Sequence, residues 1–347
     1  MGSKKEVTIY DLARELNISP STVSRALKGH FSIGKNTTRE VKELADKLGY
    51  RPNGLAVSLR NSKTYVIGVV ISWVNRPFIA SLISGVEEAA SNAGYRVIIA
   101  QSHDSYKNEV ESVQALFDSR VSGLVVSLAM ETKKYNHFEK FLRHDIPVVF
   151  VDRVTDEINC HRVIIDNFQA GFTATEHLIE QGCRRIAHFA GAQHRNIYKE
   201  RMRGYIEALK KHNLTVDESL IIRFNNLSME EGKKGSNHLL GLPNPPDGIF
   251  SSNDTAAVSA IQCAKERGIK VPEELAVIGF NNDPISEIID PSLSTITHPA
   301  IDMGKIAAKQ VLKHMDQEDI VESETVVLKT QLIVRASSLR KKPVLVY

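Results

Sequence analysis

The chain has 347 residues and only three cysteines, Cys160, Cys183 and Cys263. Their number is odd and no two share the short spacing of metal ligands. They read as buried thiols in a reducing compartment, with no metal site expected. Long apolar runs are also missing. None reaches the roughly 20 residues that a membrane-spanning helix requires. No secretory signal precedes the first patterned segment, so a cytoplasmic location without a membrane partner is expected. Met1-Gly2 opens like a myristoylation signal, but Glu6 stands where that signal needs Ser or Thr.

Catalytic signatures are absent too. There is no Gly-x-Gly-x-x-Gly after the first long apolar strand, no phosphate loop ending in Lys-Ser/Thr and no Gly-x-Ser-x-Gly elbow. The 12 histidines are dispersed. His188, inside RRIAHFAG, reads as a buried strand histidine, and His137 and His144 fall on a polar helix. No catalytic residue and no cofactor are expected, and the chain is read as a non-enzyme.

What is present is an uneven distribution of charge. Residues 1–63 carry 12 basic and 6 acidic residues, whereas the remainder carries 32 and 35. A net charge of +3 therefore hides a basic head on a mildly acidic body. Such a head suits a phosphate backbone, through release of condensed counterions. Apolar content of 42% suffices for a core, and the length is that of two or three compact units.

Residues 8–28, TIYDLARELNISPSTVSRALK, hold two short helices with almost no slack between them. Thr8 caps the first, and Ile9, Leu12, Ala13 and Leu16 share one face. Asn17 and Ile18 form the turn. Ser19 caps the second helix and Pro20 takes its first position, where no N–H is needed. Val23, Ala26 and Leu27 point back, leaving Ser21, Thr22, Ser24 and Arg25 outward. This is the sequence form of a helix-turn-helix, although the pattern alone also fits a plain helical hairpin. Downstream, 38–48 reads as a third amphipathic helix stopped by Gly49. Tyr50-Arg51-Pro52-Asn53 and the brief helical run 54–60 follow.

VTIYDLARELNISPSTVSRALKG followed by LGYRPNGLAVSLR resembles the DNA-binding headpiece and hinge helix of the lactose-repressor (LacI/GalR) family of transcription regulators. The resemblance implies a headpiece at 1–52 and a hinge at 53–64. Arg25 would contact guanine, with Ser21 and Thr22 making shorter contacts to bases or phosphates. Pro20 lacks the polar reach of some members, which shifts the preferred base. Tyr10, Ser19, Ser24 and Asn53 would contact phosphates. Leu59 would be levered into the minor groove at the operator centre, with Ala56 small enough for two hinges to approach. Gly34 replaces the family's usual serine cap before helix three.

From Tyr65 the texture becomes alternating strand and helix. Apolar runs at 65–71, 95–102, 121–129 and 146–152 are separated by helices at 80–94, 108–120 and near 134–143. The pattern restarts at Asp166, with runs at 184–191, 219–224, 248–253 and 275–280. Runs of this length mean parallel strands covered on both faces. The expected fold is α/β: a helix-turn-helix headpiece with hinge helix, then a bilobal body of two doubly wound parallel sheets. That body resembles sugar-binding periplasmic proteins. The first lobe is drawn at about 65–165 and 295–326, the second at about 166–294 and 327–347.

Doubly wound sheets bind ligands beyond the carboxyl ends of their strands. The resemblance assigns an effector cleft there, with Asp152, Arg201 and Asn253 as polar contacts and Phe78 and Ile79 packing on the ligand. Leu227 stands where several members carry an aromatic platform, and Asn281 where many carry Asp. Both departures weaken the case for any particular sugar. Trp73, the only tryptophan, fits core or cleft equally, and Asp254 fits a helix cap better than a contact. The resulting expectation is a homodimeric repressor on pseudo-palindromic double-stranded operator DNA, controlled by a small effector, a sugar or sugar derivative. A solute receptor, an activator, or a member answering to a purine or protein co-regulator are the alternatives.

Overall fold

The computed structural model describes residues 7–50, 64–316 and 322–340. The expected hinge contacts Asn53, Ala56 and Leu59 lie outside those residues. Two compact units divide between Thr64 and Tyr65.

In the first unit, α1 (Ile9–Glu15), α2 (Pro20–Leu27) and α3 (Lys35–Leu48) follow one another closely. The Asp11 carboxylate accepts from Thr8 N at 2.9 Å and from Thr8 Oγ1 at 2.7 Å, anchoring the start of α1. Asn17 turns the chain with φ 52°, a left-handed conformation that asparagine tolerates. Ser19 Oγ then accepts from Thr22 N at 3.1 Å, capping α2. Gly34 precedes α3 without a side-chain cap, as its sequence implied. The apolar faces meet in a core of Leu12, Ala13, Val23, Ala26, Val41 and Ala45. So small a core is marginal on its own, and caps worth about 1 kcal/mol each weigh heavily there.

The second unit contains two sheets. The first holds β1 (Val66–Ile71), β2 (Arg96–Gln101), β3 (Gly123–Val126), β4 (Val148–Val151), β5 (His161–Ile165) and β11 (Thr325–Leu328). Its order is β11-β5-β4-β3-β1-β2, and every pairing is parallel. The second holds β6 (Ile186–Ala190), β7 (Ile221–Arg223), β8 (Gly248–Ser251), β9 (Ala276–Asn281), β10 (Ser294–Thr297) and β12 (Leu332–Ile333). Its order is β12-β10-β9-β8-β6-β7, parallel except for β10 with β12. Helices α4 (Pro77–Asn92), α5 (Tyr106–Asp118), α6 (Asn136–Leu142) and α12 (Ala300–Asp316) cover the first sheet. The second sheet is covered by α7 (Asn167–Glu180), α8 (Asn196–Lys211), α9 (Met229–Leu240) and α10 (Asp254–Glu266), with the short α11 (Ile285–Ile288) beside α10.

β3, β4, β6 and β8 are buried along their whole length. Strands so covered need apolar residues at every position, which is why these segments lack alternation. The sheets share one plan: in each, the first strand lies between the second and third. The order reverses between β1 and β3 and again between β6 and β8, and loops leaving the strands' carboxyl ends there open a crevice.

Two boundaries differ from the sequence reading. β10 pairs in parallel with β9 through Thr297, so the chain leaves the second lobe after that residue rather than at 295. β11 remains in the first sheet through Leu328, two residues past the expected end. β5 went unread because its polar start, His161-Arg162, masks the apolar Val163, Ile164 and Ile165. Each lobe also contains a helix crossing without room for side chains. A Cβ at Gly85 would stand 2.0 Å from Ile301 O, and one at Gly304 2.1 Å from Leu82 O. On α7 and α8, a Cβ at Gly171 would meet Arg201 O at 2.3 Å, and one at Gly204 would meet Phe168 O at 2.2 Å.

Candidate functional site

In the first unit, α2 presents Ser21 and Arg25 to solvent, with Thr22 and Ser24 half-buried. Pro20 is half-buried at the helix start, and Tyr10 on α1 is 66% exposed. Ser19 Oγ lies 2.7 Å from Ser21 Oγ and 2.8 Å from Thr22 Oγ1. These hydroxyls are fixed relative to one another before any partner arrives. The exposed set is short, hydrogen-bonding or cationic, as an element entering the major groove by its N-terminus must be.

In the second unit, the cleft chemistry gathers around His298, just past the end of β10. Its Nδ1 lies 3.2 Å from Asn281 Oδ1, an atom that only accepts, so Nδ1 carries the hydrogen. Its Nε2 therefore offers a lone pair, and it faces Asp152 Oδ1 at 3.6 Å. Both atoms are buried without a hydrogen-bond partner among the described residues. Burial, aided by Arg201, holds the imidazole well below its ordinary pKa, so the ring is neutral. Phe78 stacks on it at 4.0 Å, and Phe280 meets it edge-on at 5.8 Å.

Arg201, on α8, is 2% exposed. Its Nε donates to Asn167 Oδ1 and its Nη1 to Ser252 O, each at 2.8 Å, and the guanidinium lies 3.5 Å from the Phe280 ring centroid. Burial pulls its pKa down to about 10, opposed by Asp152, and it stays cationic at neutral pH. Burial pushes the Asp152 carboxyl up, while Arg153 and Arg201 pull it back. Arg153 is engaged with Asp104 at 2.5 Å. The carboxylates of Asp152 and Asp104 thus stand with the guanidiniums of Arg153 and Arg201. A cavity of about 320 Å³ opens beside Phe78, Asn281, Asp283 and His298. Asp152 and Arg201 are not among its lining residues.

Three expected contacts are placed elsewhere. α4 begins at Pro77, three residues earlier than read, so Ile79 falls in its first turn and enters the first-lobe core at 5% exposure. Leu227 is 1% exposed, packed in the second-lobe core, and its carbonyl accepts from Asn253 Nδ2 at 2.9 Å. Asn253 uses its remaining group as the cap of α10, Oδ1 accepting from Ala256 N at 2.9 Å. Both ends of that amide are committed within the protein. Asn281 remains in the site as the partner of His298. Trp73 is 37% exposed, tilted on His103 at 4.5 Å, and lines a separate cavity with Asn75 and Arg76.

Asp254 is not the cap. Its carboxylate accepts from Thr295 Oγ1 and Asp283 N, both at 2.7 Å, joining α10 to β10 and the loop after β9. Burial is the chief cause pushing its pKa up to about 8. An acid raised on folding keeps a proton that the unfolded chain, titrating near 4, has already lost. Its stabilisation is complete below the unfolded value and disappears as pH rises through about 8. Thermal unfolding from pH 5 to 9 should therefore show a falling melting temperature, with a shallower slope in Asp254→Asn. Equal slopes would remove Asp254 as the source.

His298 is not legible in the sequence as a site residue, because it follows β10, a four-residue strand whose Ser294, Thr295 and Thr297 do not read as an apolar run. Sequence reasoning also missed how the lobes are joined. His194 Nε2 meets Met130 O at 2.6 Å, Arg195 Nη2 donates to Met130 O at 3.0 Å and to Thr132 O, and Val154 N donates to Asn196 Oδ1 at 3.3 Å. The start of α8, the helix bearing Arg201, is thereby tied to the first lobe. Beneath the tie, fully buried Glu109 accepts from Ala129 N, Thr132 Oγ1 and His137 Nε2.

Comparison with known proteins agrees with both halves of this arrangement. A family model described as bacterial regulatory proteins, lacI family, matches residues 8–53, and one described as a periplasmic binding protein-like domain matches residues 175–338. Catabolite control protein A of Priestia megaterium is 32% identical over 96% of this chain and 99% of its own length. The HTH-type transcriptional repressor CytR of Escherichia coli K12 is 31% identical over 97% and 99%. The transcriptional regulator CelR in complex with cellobiose is 28% identical, with a TM-score of 0.72 over 96% of this chain and 100% of that one. With a helix-turn-helix followed by two parallel-sheet lobes, and with relatives of this identity along nearly its whole length, the chain belongs to the lacI family of bacterial transcriptional regulators.

Proposed function

We propose that the chain is a cytoplasmic repressor without enzymatic turnover, whose operator affinity is set by an uncharged polyhydroxyl effector, a sugar or neutral sugar derivative. The observation that carries the effector class is the cavity beside His298, whose lining sets Phe78 against Asn281, Asn282, Asp283, Thr297 and Asp302, with no lysine or arginine among them. Side-chain amides, a threonine hydroxyl and carboxylates donate to and accept from the hydroxyl groups of such a ligand. The two lining carboxylates, Asp283 and Asp302, disfavour a phosphate there. Phe78 offers an apolar face of the kind against which a sugar ring packs. The cellobiose bound by CelR is of this chemical class.

On DNA, two copies of the chain bind as a homodimer to a pseudo-palindromic double-stranded operator. Arg25, Ser21 and Thr22 read bases, and Tyr10, Ser19, Ser24 and Asn53 hold phosphates. Ala56 and Leu59 form the hinge contact of the resemblance.

A thermal-shift panel pairing neutral sugars with their phosphates and including purine nucleosides tests the effector class. A binder at a hundred times its Kd adds about 2.7 kcal/mol. That is a shift of about 5–10 °C for a body of this size. At least one neutral sugar should shift the protein while its phosphate does not. A response confined to phosphates or purines would overturn the reading.

A further inference from the structure

Phe31 is 94% exposed, the most exposed of the large apolar side chains among the described residues. A single exposed apolar residue is ordinary, but this one is held in place. It lies in the loop that follows α2, and that loop is pinned to the end of the helix. Gly29 N donates to Ala26 O and His30 N to Arg25 O, both at 3.0 Å, and Ile33 N returns to His30 O at 3.0 Å. His30 Nδ1 accepts from Ser32 N at 3.2 Å and lies 2.8 Å from Ser32 Oγ. The His30 ring so fixed stacks on Phe31 at 4.4 Å and 26°. The phenyl ring is therefore supported from behind by an aromatic neighbour and turned to solvent instead of toward the headpiece core.

The surroundings state the partner's charge. Residues 16–39 contain Arg25, Lys28, Lys35 and Arg39 and no acidic residue. A polyanion is favoured along the whole stretch, and the loop sits in its middle. The α2 helix is about 12 Å long, so a group anchored at its far end lies within a few base pairs of those at its start. In a DNA groove, an apolar ring finds one apolar feature on the base edges, the C5-methyl of thymine.

We infer that Phe31 is a specificity-determining DNA contact, its ring packing on a thymine methyl in the major groove at the edge of the half-site, with His30 as its support. This rests on the DNA-binding reading, and the test separates the two. The full-length protein selects its site from a randomised duplex library, and the selected duplex is then remade with uracil for thymine, one position at a time. At one symmetric pair of positions, uracil should weaken binding about fourfold per half-site, the value of one buried methyl group. Phe31→Ser should bind the thymine duplex about tenfold more weakly and be indifferent to uracil at that position, a non-additivity that only direct contact produces. The exposed ring supports no core, so its removal should leave the melting temperature unchanged. Failure to enrich any sequence sinks the DNA-binding reading itself. An enriched site indifferent to uracil, or a uracil effect that persists in Phe31→Ser, overturns the inference alone. Unchanged operator affinity with altered dimerisation would instead assign the ring to a protein surface.

Discussion

Gly171→Val should leave the second lobe unable to hold its native packing at physiological temperature. The ideal Cβ at this position stands 2.3 Å from Arg201 O and 2.9 Å from Arg201 Cα, both backbone atoms of the neighbouring helix. No rotamer change relieves such a contact; α7 and α8 must move apart by an ångström or more. The move would open the packing around Ala170, Ala174, Tyr205 and Leu209, which are at most 1% exposed. Overpacking ordinarily costs about 1–3 kcal/mol. A backbone clash backed by lost core contacts should exceed that, at about 4 kcal/mol or more. For a body of this size, that is a fall in melting temperature of about 8–16 °C. Because the blocked atoms belong to Arg201 itself, any folded fraction should also show weakened effector binding. Calorimetry of parent and variant, with and without a binding sugar, measures both. A variant melting with the parent would show that the crossing yields more easily than its geometry implies.

Legibility in the sequence followed a physical rule. Segments whose environment is uniform along their length announced themselves: β3, β4, β6 and β8, buried on both faces, appear as apolar runs. The headpiece was legible because its caps are local, with Ser19, Pro20, Asn17 and Gly49 each acting within a few residues. Contacts set by tertiary packing were less so. Ile79 and Leu227 were assigned to the ligand by position, and the core claimed them, one because α4 starts at Pro77 and the other through a left-handed loop at φ 52°. Asn253 looks from sequence like a free amide before an acid, yet a helix start and a neighbouring carbonyl consume it. His298 illustrates the converse: its partners Asn281, Asp152 and Phe78 lie far away in sequence, so only the fold reveals that its two nitrogens have different roles.

Arg201→Ala should cost the body about 3–5 kcal/mol and abolish effector binding, while leaving operator affinity of the effector-free protein close to the parent's. The stability loss has two sources. Asn167 Oδ1 and Ser252 O each lose a donor at 2.8 Å, and Asp152, 6% exposed, loses one of the two guanidiniums that favour its charge. Removing one partner of a buried pair is expensive chiefly because the other charge is left stranded. That account makes a sharper prediction than the single variant does. Asp152→Asn in the Arg201→Ala background should recover about 1–2 kcal/mol, since it removes the stranded charge. The same substitution in the parent should destabilise. Effector binding should not return in the double variant, because the guanidinium is still gone. Denaturant unfolding of the four proteins gives the cycle, and calorimetric titration with the neutral sugar from the thermal panel gives the binding. Operator affinity should barely move, since the headpiece is a separate compact unit. Additive stability losses would mean that Asp152 and Arg201 do not interact through charge.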